Sequence, residues 1–579
     1  MKTKFLGVLC VLSSLLVQAH ALDREAFSFT VYDLDVRVEP EQQRLAVRGK
    51  ITLRNDSSSP QKVLTLQISS SLDWRSIQLD SKPVQFVSQP YTSDIDHSGA
   101  LSEAIVTLPR EVPPQGEVKL EIGYEGIIPL DATRLTRIGV PAEVAGHSDW
   151  DQIGKSFTAV RGLGYVAWYP VATESANLSE GNSVFETEAR WKARELEAGM
   201  KIKLTHSGEG APEPLLCNGE AGGVRTYQPM GRAYESVTQC DFQPLGERVP
   251  LFMVGPYQEL EQPPVNIYYL PDHKPAALAY AQAAQLTVPF VTEWFGAPKG
   301  RAEVRPPEVV ELSDPETAQY ESGSLLLTPL NHDSALAQMT AVHQLTHAAF
   351  FSSRPWIFEG LAHFAQAVYR EQNSGRQAAL DFMGLHRTAL AEAEKALATE
   401  PGSKSGAGES LIGTSIEELY RSKALYVWWM LRDMIGDAAL KKALAAYRPE
   451  ADNAPSYMQH LIESQAGEDL GWFFDDWVYR DRGLPDFHIV SVYPWAPSRN
   501  TYVVTVTVEN LGDAGAEVPL ILKMEQGEVT KRIRLVGKSK AIIRVECPAA
   551  PEEIVVNDGS VPESDMSNNV FKIEARAKK

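Results

Sequence analysis

Alternation is the first regularity along the chain. Apolar residues fall at Phe27, Phe29 and Val31, then at Leu34, Val36 and Val38, and after a turn near Pro40 at Val47, Ile51 and Leu53 around Gly49, ending at Asn55-Asp56-Ser57. A period of two marks half-buried strands joined by turns. Similar short runs, among them Val118 to Ile122 and Met200 to Leu204, continue to Gln262 with no long helical period between them. Residues 22–262 are therefore expected to be all β. After Pro263-Pro264 a strand-like Val265 to Leu270 leads into an Ala-, Leu- and Gln-rich helical stretch from Pro275 to Trp294, where Pro289 is expected to kink or break the helix. Helical periodicity dominates to about Tyr479. A second helical block opens with Ser415 and Glu418 in capping-box spacing, passes Leu431 and can stop at Gly436, and Pro401 to Ser410 reads as a Gly/Ser-rich surface loop. Past Leu484-Pro485 the alternation returns at Tyr502, Val504, Val506 and Val508, with a turn at Asn510 to Gly512, so residues 486–579 read as a small β-sandwich. Its last turn, Asn557-Asp558-Gly559 with Glu563 and Asp565 beyond, could hold calcium, but an acidic turn left in solvent is the simpler expectation. The whole is a multidomain α+β chain of three globular parts.

The two ends of the composition add a compartment and a sign. Met-Lys-Thr-Lys, a short apolar run from Phe5 to Val17 and Ala19-His20-Ala21 have the form of a signal peptide cleaved after Ala21. Cys10 follows Leu9, where a lipoprotein signal carries a small residue, so it reads as part of the apolar run. The run is short for a bilayer span, and no later stretch holds 18 uninterrupted apolar residues, so no transmembrane anchor is expected. The chain is read as exported, to the periplasm or outside the cell. Seventy-five acidic against 55 basic residues give a net charge of −20, which disfavours nucleic-acid binding. In an oxidising compartment Cys217 and Cys240 are expected to pair, while Cys547 is the odd one out, buried in the last part.

The chemistry centres on Thr340 to Phe364. His343 and His347 stand four apart in a segment free of Pro and Gly from Asp333 to Ser353, so on a helix they share a face. Twelve residues on, Glu359 lies in Pro355-Trp356-Ile357-Phe358-Glu359-Gly360, where a turn feeds a second apolar helix. Two imidazoles one turn apart and a carboxylate from a neighbouring helix can hold zinc and leave a fourth position open. The plainer alternatives are core histidines and a glutamate favoured by a helix start. His363 either supports this group or merely packs.

At these residues the chain resembles the aminopeptidase-N-like zinc metallopeptidases of the gluzincin group, over nearly its whole mature length. Tyr32-Asp33-Leu34-Asp35-Val36, Leu53-Arg54-Asn55, Glu293-Trp294-Phe295-Gly296-Ala297-Pro298, Asp469-Leu470-Gly471-Trp472-Phe473-Phe474-Asp475-Asp476-Trp477 and Gly483-Leu484-Pro485 carry the likeness, in family order. It implies an N-terminal β saddle domain over 22–262, a thermolysin-like, mainly helical catalytic domain over 263–485 and an Ig-like β-sandwich over 486–579. It also implies one zinc ion on His343, His347 and Glu359, and peptides or protein N-termini as partners. The departures from the family matter as much. The residue after the first histidine, which in the family is the glutamate that takes a proton from water, is Gln344, and an amide cannot act as a base. The spacing from His347 to Glu359 is shorter than usual. Aligning Lys423 with the family lysine puts Arg421 where a tyrosine stabilises the oxyanion and leaves Tyr420 one residue off, about 100° around a helix. Of the motif that anchors a substrate amine, only Glu321 in Ala318-Gln319-Tyr320-Glu321-Ser322-Gly323 matches.

The resulting expectation is an exported zinc- and peptide-binding protein with weak or lost hydrolysis. Its rivals are a working metalloaminopeptidase that uses another base, and a metal-free interaction module.

Overall fold

The computed structural model describes residues 22–573 apart from 181–182, 210, 223–224, 228–232, 247, 297–305, 324, 400–409, 415, 481 and 499–500. The leader, Ser415 with its expected cap, and all of the Pro401 to Ser410 loop but Ser410 lie outside the described residues.

The first part is built on a large sheet in which Phe27–Glu39 is central, antiparallel to Arg44–Asn55 on one side and parallel to Gly199–Glu209 on the other. The break in the alternation has a cause. The register against Arg44–Asn55 shifts between Phe29 and Val31, a bulge that flips every later side chain, so Phe27, Phe29, Tyr32, Leu34, Val36 and Val38 are buried and Val31 faces out. A three-stranded sheet and a four-stranded sheet complete the strands of this part, and Trp168, Tyr169, Trp191 and Tyr124 fill its core.

This part is not all β. Ser183–Glu195 is a helix whose buried residues, Val184, Thr187, Trp191 and Glu195, recur at spacings of three to four. Only two of the four are apolar, which hides the helix from a reading of hydrophobic period.

The middle part opens with a five-stranded sheet, Gln258–Gln262, Val265–Tyr269, Glu308–Glu311, Leu325–Thr328 and Tyr320–Ser322 in spatial order, so Tyr320–Ser322 is an edge strand. Lys274–Phe295 runs through Pro289 as one helix, so the proline does not break it. Pro289 and Gln285, whose carbonyl loses its partner, both lie on the exposed face, where water can take the freed oxygen. Ser334–Ala349 packs beside it, Pro355–Ser374 follows, and Ala424–Ile435 ends at Gly436, whose φ of 79° suits glycine.

The last part is two packed sheets, of three and four strands, sharing one hydrophobic core with the helical part. Its acidic turn is largely built into the core, with Ser564 and Asp565 left exposed. Asn557 and Glu563 are buried, Glu563 accepts from the amides of Asn557 and Asn569 and from the backbone N–H of Phe487, and Asp558 pairs with Arg376 at 3.0 Å. Cys217 and Cys240 are joined, and Cys547 is free and buried, as expected. No helix among the described residues is long and apolar enough to cross a membrane.

Candidate metal centre

Asp333 starts the helix Ser334–Ala349 by accepting from the backbone N–H groups of Ala335 and Leu336 at 2.8 and 3.0 Å. Three turns on, the Nε2 atoms of His343 and His347 lie 3.1 Å apart. Two nitrogens on one tetrahedral zinc, each at roughly 2.0–2.1 Å, would be roughly 3.3 Å apart, so the pair is close to the spacing a shared ion needs. Burial pushes both imidazoles down to about 3, with the Arg421 cation acting in the same direction, so both are neutral at neutral pH and carry free lone pairs. The buried Nδ1 of His347 has no partner among the described residues.

Two carboxylates flank the imidazoles. The ligand atoms of Glu321, on the edge strand, and of both histidines all lie within 4.8 Å of one another. Glu359, in the helix Pro355–Ser374, places Oε1 3.7 Å from His347 Nε2 and accepts from Arg421 Nε at 3.3 Å on Oε2. Burial, reinforced by the charge of Glu359, pushes the Glu321 carboxyl up to about 8. Burial is the largest single influence on Glu359 and acts to raise it, but the charge and hydrogen bond of Arg421 together with His343 and His363 hold that carboxyl below its usual range. The donor set of neutral imidazoles and adjacent carboxylates fits a zinc ion.

Gln344 is fully buried between these groups. Its Nε2 donates to Glu321 Oε1 and to the Leu327 carbonyl, each at 3.2 Å, and its Oε1 accepts from the Tyr280 hydroxyl at 2.8 Å. Both donors and the acceptor are committed within the chain.

His347, Glu321, Glu359, Tyr420 and Arg421 line one cavity of about 710 Å³, with His343 and Gln344 behind them. Tyr420 and Arg421 sit in a wide turn, Glu418–Lys423, wound as a π-helix. Both side chains reach the cavity: the Tyr420 ring meets Phe185 edge-on at 6.0 Å, while Arg421 bridges Glu359 and Glu417. Lys423 is buried and donates to Glu394. His363 packs edge-on between the rings of His343 and His386, 5.1 and 5.4 Å away, with neither nitrogen partnered among the described residues.

The first part of the chain clamps the segment that carries Glu321. Trp150 Nε1 donates to the Ala318 carbonyl at 3.2 Å, the Ala318 N–H donates to the His147 carbonyl, and Asn218 Nδ2 donates to Ser322 Oγ at 2.7 Å. Sequence reasoning missed these contacts, and with them Tyr280 and His386. Nothing local marks Tyr280, which reads as one more core residue of an alanine-rich helix, and its partner lies 64 residues away.

Sheets at the start, a helical middle that holds a His-x-x-x-His helix, and sheets at the end make an architecture that matches the fold of solved M1 metallopeptidase and aminopeptidase structures. In a mutant M1 zinc metallopeptidase from Deinococcus radiodurans bound to a Tyr-Ser-Ala substrate, the match covers 80% of this chain and 97% of that one, at 15% identity and a TM-score of 0.50. Aminopeptidase A of Legionella pneumophila in complex with aspartic acid matches over 94% of this chain and 60% of its own, at 13% identity and a TM-score of 0.60. Identities this low speak to the fold alone. No family model matches the sequence, and no curated protein matches it.

Proposed function

We propose that the chain is an exported protein that binds one zinc ion through His343, His347 and a carboxylate, takes the amino end of a peptide in the adjoining cavity, and hydrolyses it slowly or not at all. The observation that carries this reading is Gln344. It follows the first histidine, the position at which the resembled family carries its base, it cannot take a proton, and its amide is tied to Glu321, Leu327 and Tyr280. Glu359, oriented by Arg421, and Glu321, close to both imidazoles, are the two carboxylates able to complete the ligand set. When bound, the zinc would supply Lewis-acid chemistry. Arg421, held between Glu359 and Glu417, keeps a fixed cation at the cavity wall that could serve an oxyanion, beside the Tyr420 and Phe185 rings. A carboxylate left free by the metal, Glu321 above all, can pair with a peptide α-ammonium.

One observation favours a second reading. Glu321 lies beside both histidines, so it could itself serve as the base of a working aminopeptidase.

Metal content by mass spectrometry after zinc-supplemented expression, with an aminoacyl-anilide assay, tests both readings. About one zinc per chain and near-background turnover are expected. Gln344→Glu should raise the rate by about 10² or more, within the usual range for general-base catalysis, and Arg421→Tyr should be examined in the same background. Wild-type turnover at about 1 s⁻¹ or faster would overturn the first reading. Its loss in Glu321→Gln, with zinc retained, would assign the base to Glu321.

A further inference from the structure

Three cations line the cavity, and they differ in one respect. Lys192 is paired with Glu188 at 2.7 Å and Arg421 with Glu359 at 3.3 Å, but Arg248 has no carboxylate within 4.0 Å among the described residues. Its Nε and one terminal nitrogen donate to the carbonyls of Leu245 and Pro244, at 3.3 and 3.0 Å, and its guanidinium stands over the Phe242 ring at 5.1 Å. These contacts fix its direction and leave its charge uncompensated. Among the three cations of this cavity, Arg248 is the half-buried one that has no counter-charge among the described residues.

Its position is informative as well. The Arg248 stem would lie 3.7 Å from a Cβ placed on Gly323, two residues beyond Glu321 on the clamped segment. Arg248 and Glu321 line the same cavity, so a peptide held at the histidines can extend toward this guanidinium.

We propose that Arg248 recognises a carboxylate on the bound peptide, and that the site is selective for short peptides whose carboxylate, at the C-terminus or on an acidic side chain, reaches this guanidinium. The inference rests on the peptide-binding reading above and adds a substrate class to it. A guanidinium and a carboxylate form paired, charge-assisted hydrogen bonds that an amide cannot reproduce.

The test is calorimetric binding to the full chain with one equivalent of zinc, using three probes: Ala-Ala-Ala, its C-terminal amide, and Glu-Ala-Ala amide. At least one carboxylate peptide should bind about tenfold or more tightly than Ala-Ala-Ala amide, and the one that does identifies the source of the carboxylate. In Arg248→Gln that ratio should fall to about one, and Arg248→Lys should keep part of it. The Lys variant and the wild-type ratio decide the matter if the Gln variant does not fold. Equal affinities of all three probes for the wild type, or a ratio that survives Arg248→Gln, would overturn this inference and leave the peptide-binding reading standing. Absence of binding by every probe would overturn both.

Discussion

Two buried polar clusters in this molecule are finished in different ways. At the start of the last sheet pair, the Glu563 carboxylate is met by two amides and a backbone N–H, and Asp558 beside it is met by Arg376, which also holds Asp433 at 2.7 Å. Its carboxylate oxygens are used within the chain, although the buried Oδ1 of Asn569 beside them has no partner among the described residues. In the helical part, two neutral imidazoles point Nε2 at Nε2, two carboxylates stand around them, and a buried Nδ1 is left over. That cluster has lone pairs to spare. Burying polar atoms costs stability wherever their bonding is incomplete, so the first arrangement is a structural knot and the second is shaped for something the chain does not itself contain. Gln344 sharpens the contrast, because it is a closed knot set inside the open one.

The contrast can be broken at several points. The largest effect is expected from Glu563→Ala, which orphans three buried donors and should lower the unfolding free energy by about 4–5 kcal/mol in urea titrations while leaving zinc content unchanged. A change in zinc content would mean that the two clusters are not independent. A third manner of burial gives the next largest effect. The Glu195 carboxyl is fully buried, and burial pushes it up to about 8 from an ordinary value of 4.5. Because the folded value is the higher one, the stability this group contributes is fully present below about pH 4.5 and is lost as the pH rises through about 8. Unfolding free energy should fall by on the order of 3–4 kcal/mol over that window, and Glu195→Gln should flatten the slope. An unchanged slope in the variant would show that Glu195 is ionised in the fold. His347→Ala comes third: zinc affinity measured by chelator competition should drop by more than the roughly 100-fold that removal of an outer partner causes, about 3 kcal/mol. Unchanged affinity would make the imidazole pair an ordinary core contact. The smallest effect belongs to the inner knot. Gln344→Glu sets a carboxylate against that of Glu321 and against a carbonyl, both now 3.2 Å from the amide nitrogen, and should cost about 1–2 kcal/mol. Adding Glu321→Gln restores a donor opposite an acceptor and should recover most of the loss; a strictly additive double variant would deny the contact.

The parts of this picture that were legible in the sequence are those a local rule can reach. The period of two found the strands, and the four-residue spacing put His343 and His347 on one face. The order of the family-like segments carried the three-part architecture. What escaped was set by distant partners. A bulge at Phe29/Val31 turned Val31 outward and Tyr32 inward, while the other apolar positions read from the alternation stayed buried, because register belongs to the pair of strands. The Ser183–Glu195 helix buries Thr187 and Glu195 along with Val184 and Trp191, so its inner face does not look apolar. The acidic turn after Asn557 is a solvent motif by composition and became a core element because Phe487 and Arg376 arrive from elsewhere. Around the metal centre, His347 and Glu359 could be proposed from their spacing, whereas the approach of Glu321 depends on where an edge strand ends, and the hold on Gln344 depends on Tyr280 from another helix.

The clamp on the Glu321 segment bears on how this protein can be taken apart. Asn218, Trp150 and the His147 carbonyl all belong to the first part of the chain, and they hold Ser322 and Ala318 on either side of the carboxylate. The helix that carries the imidazoles shares its core with the last sheets, while the strands Glu308–Glu311 and Leu325–Thr328 of the same part pack against Trp150, Phe157 and Leu216 of the first. A shortened version made from the helical part and those sheets would lose this packing as well as the struts of the wall that carries Glu321, so neither the sheet of the middle part nor the pocket stands apart from the first part. Anyone transplanting this centre to a smaller scaffold would have to carry the N-terminal third with it.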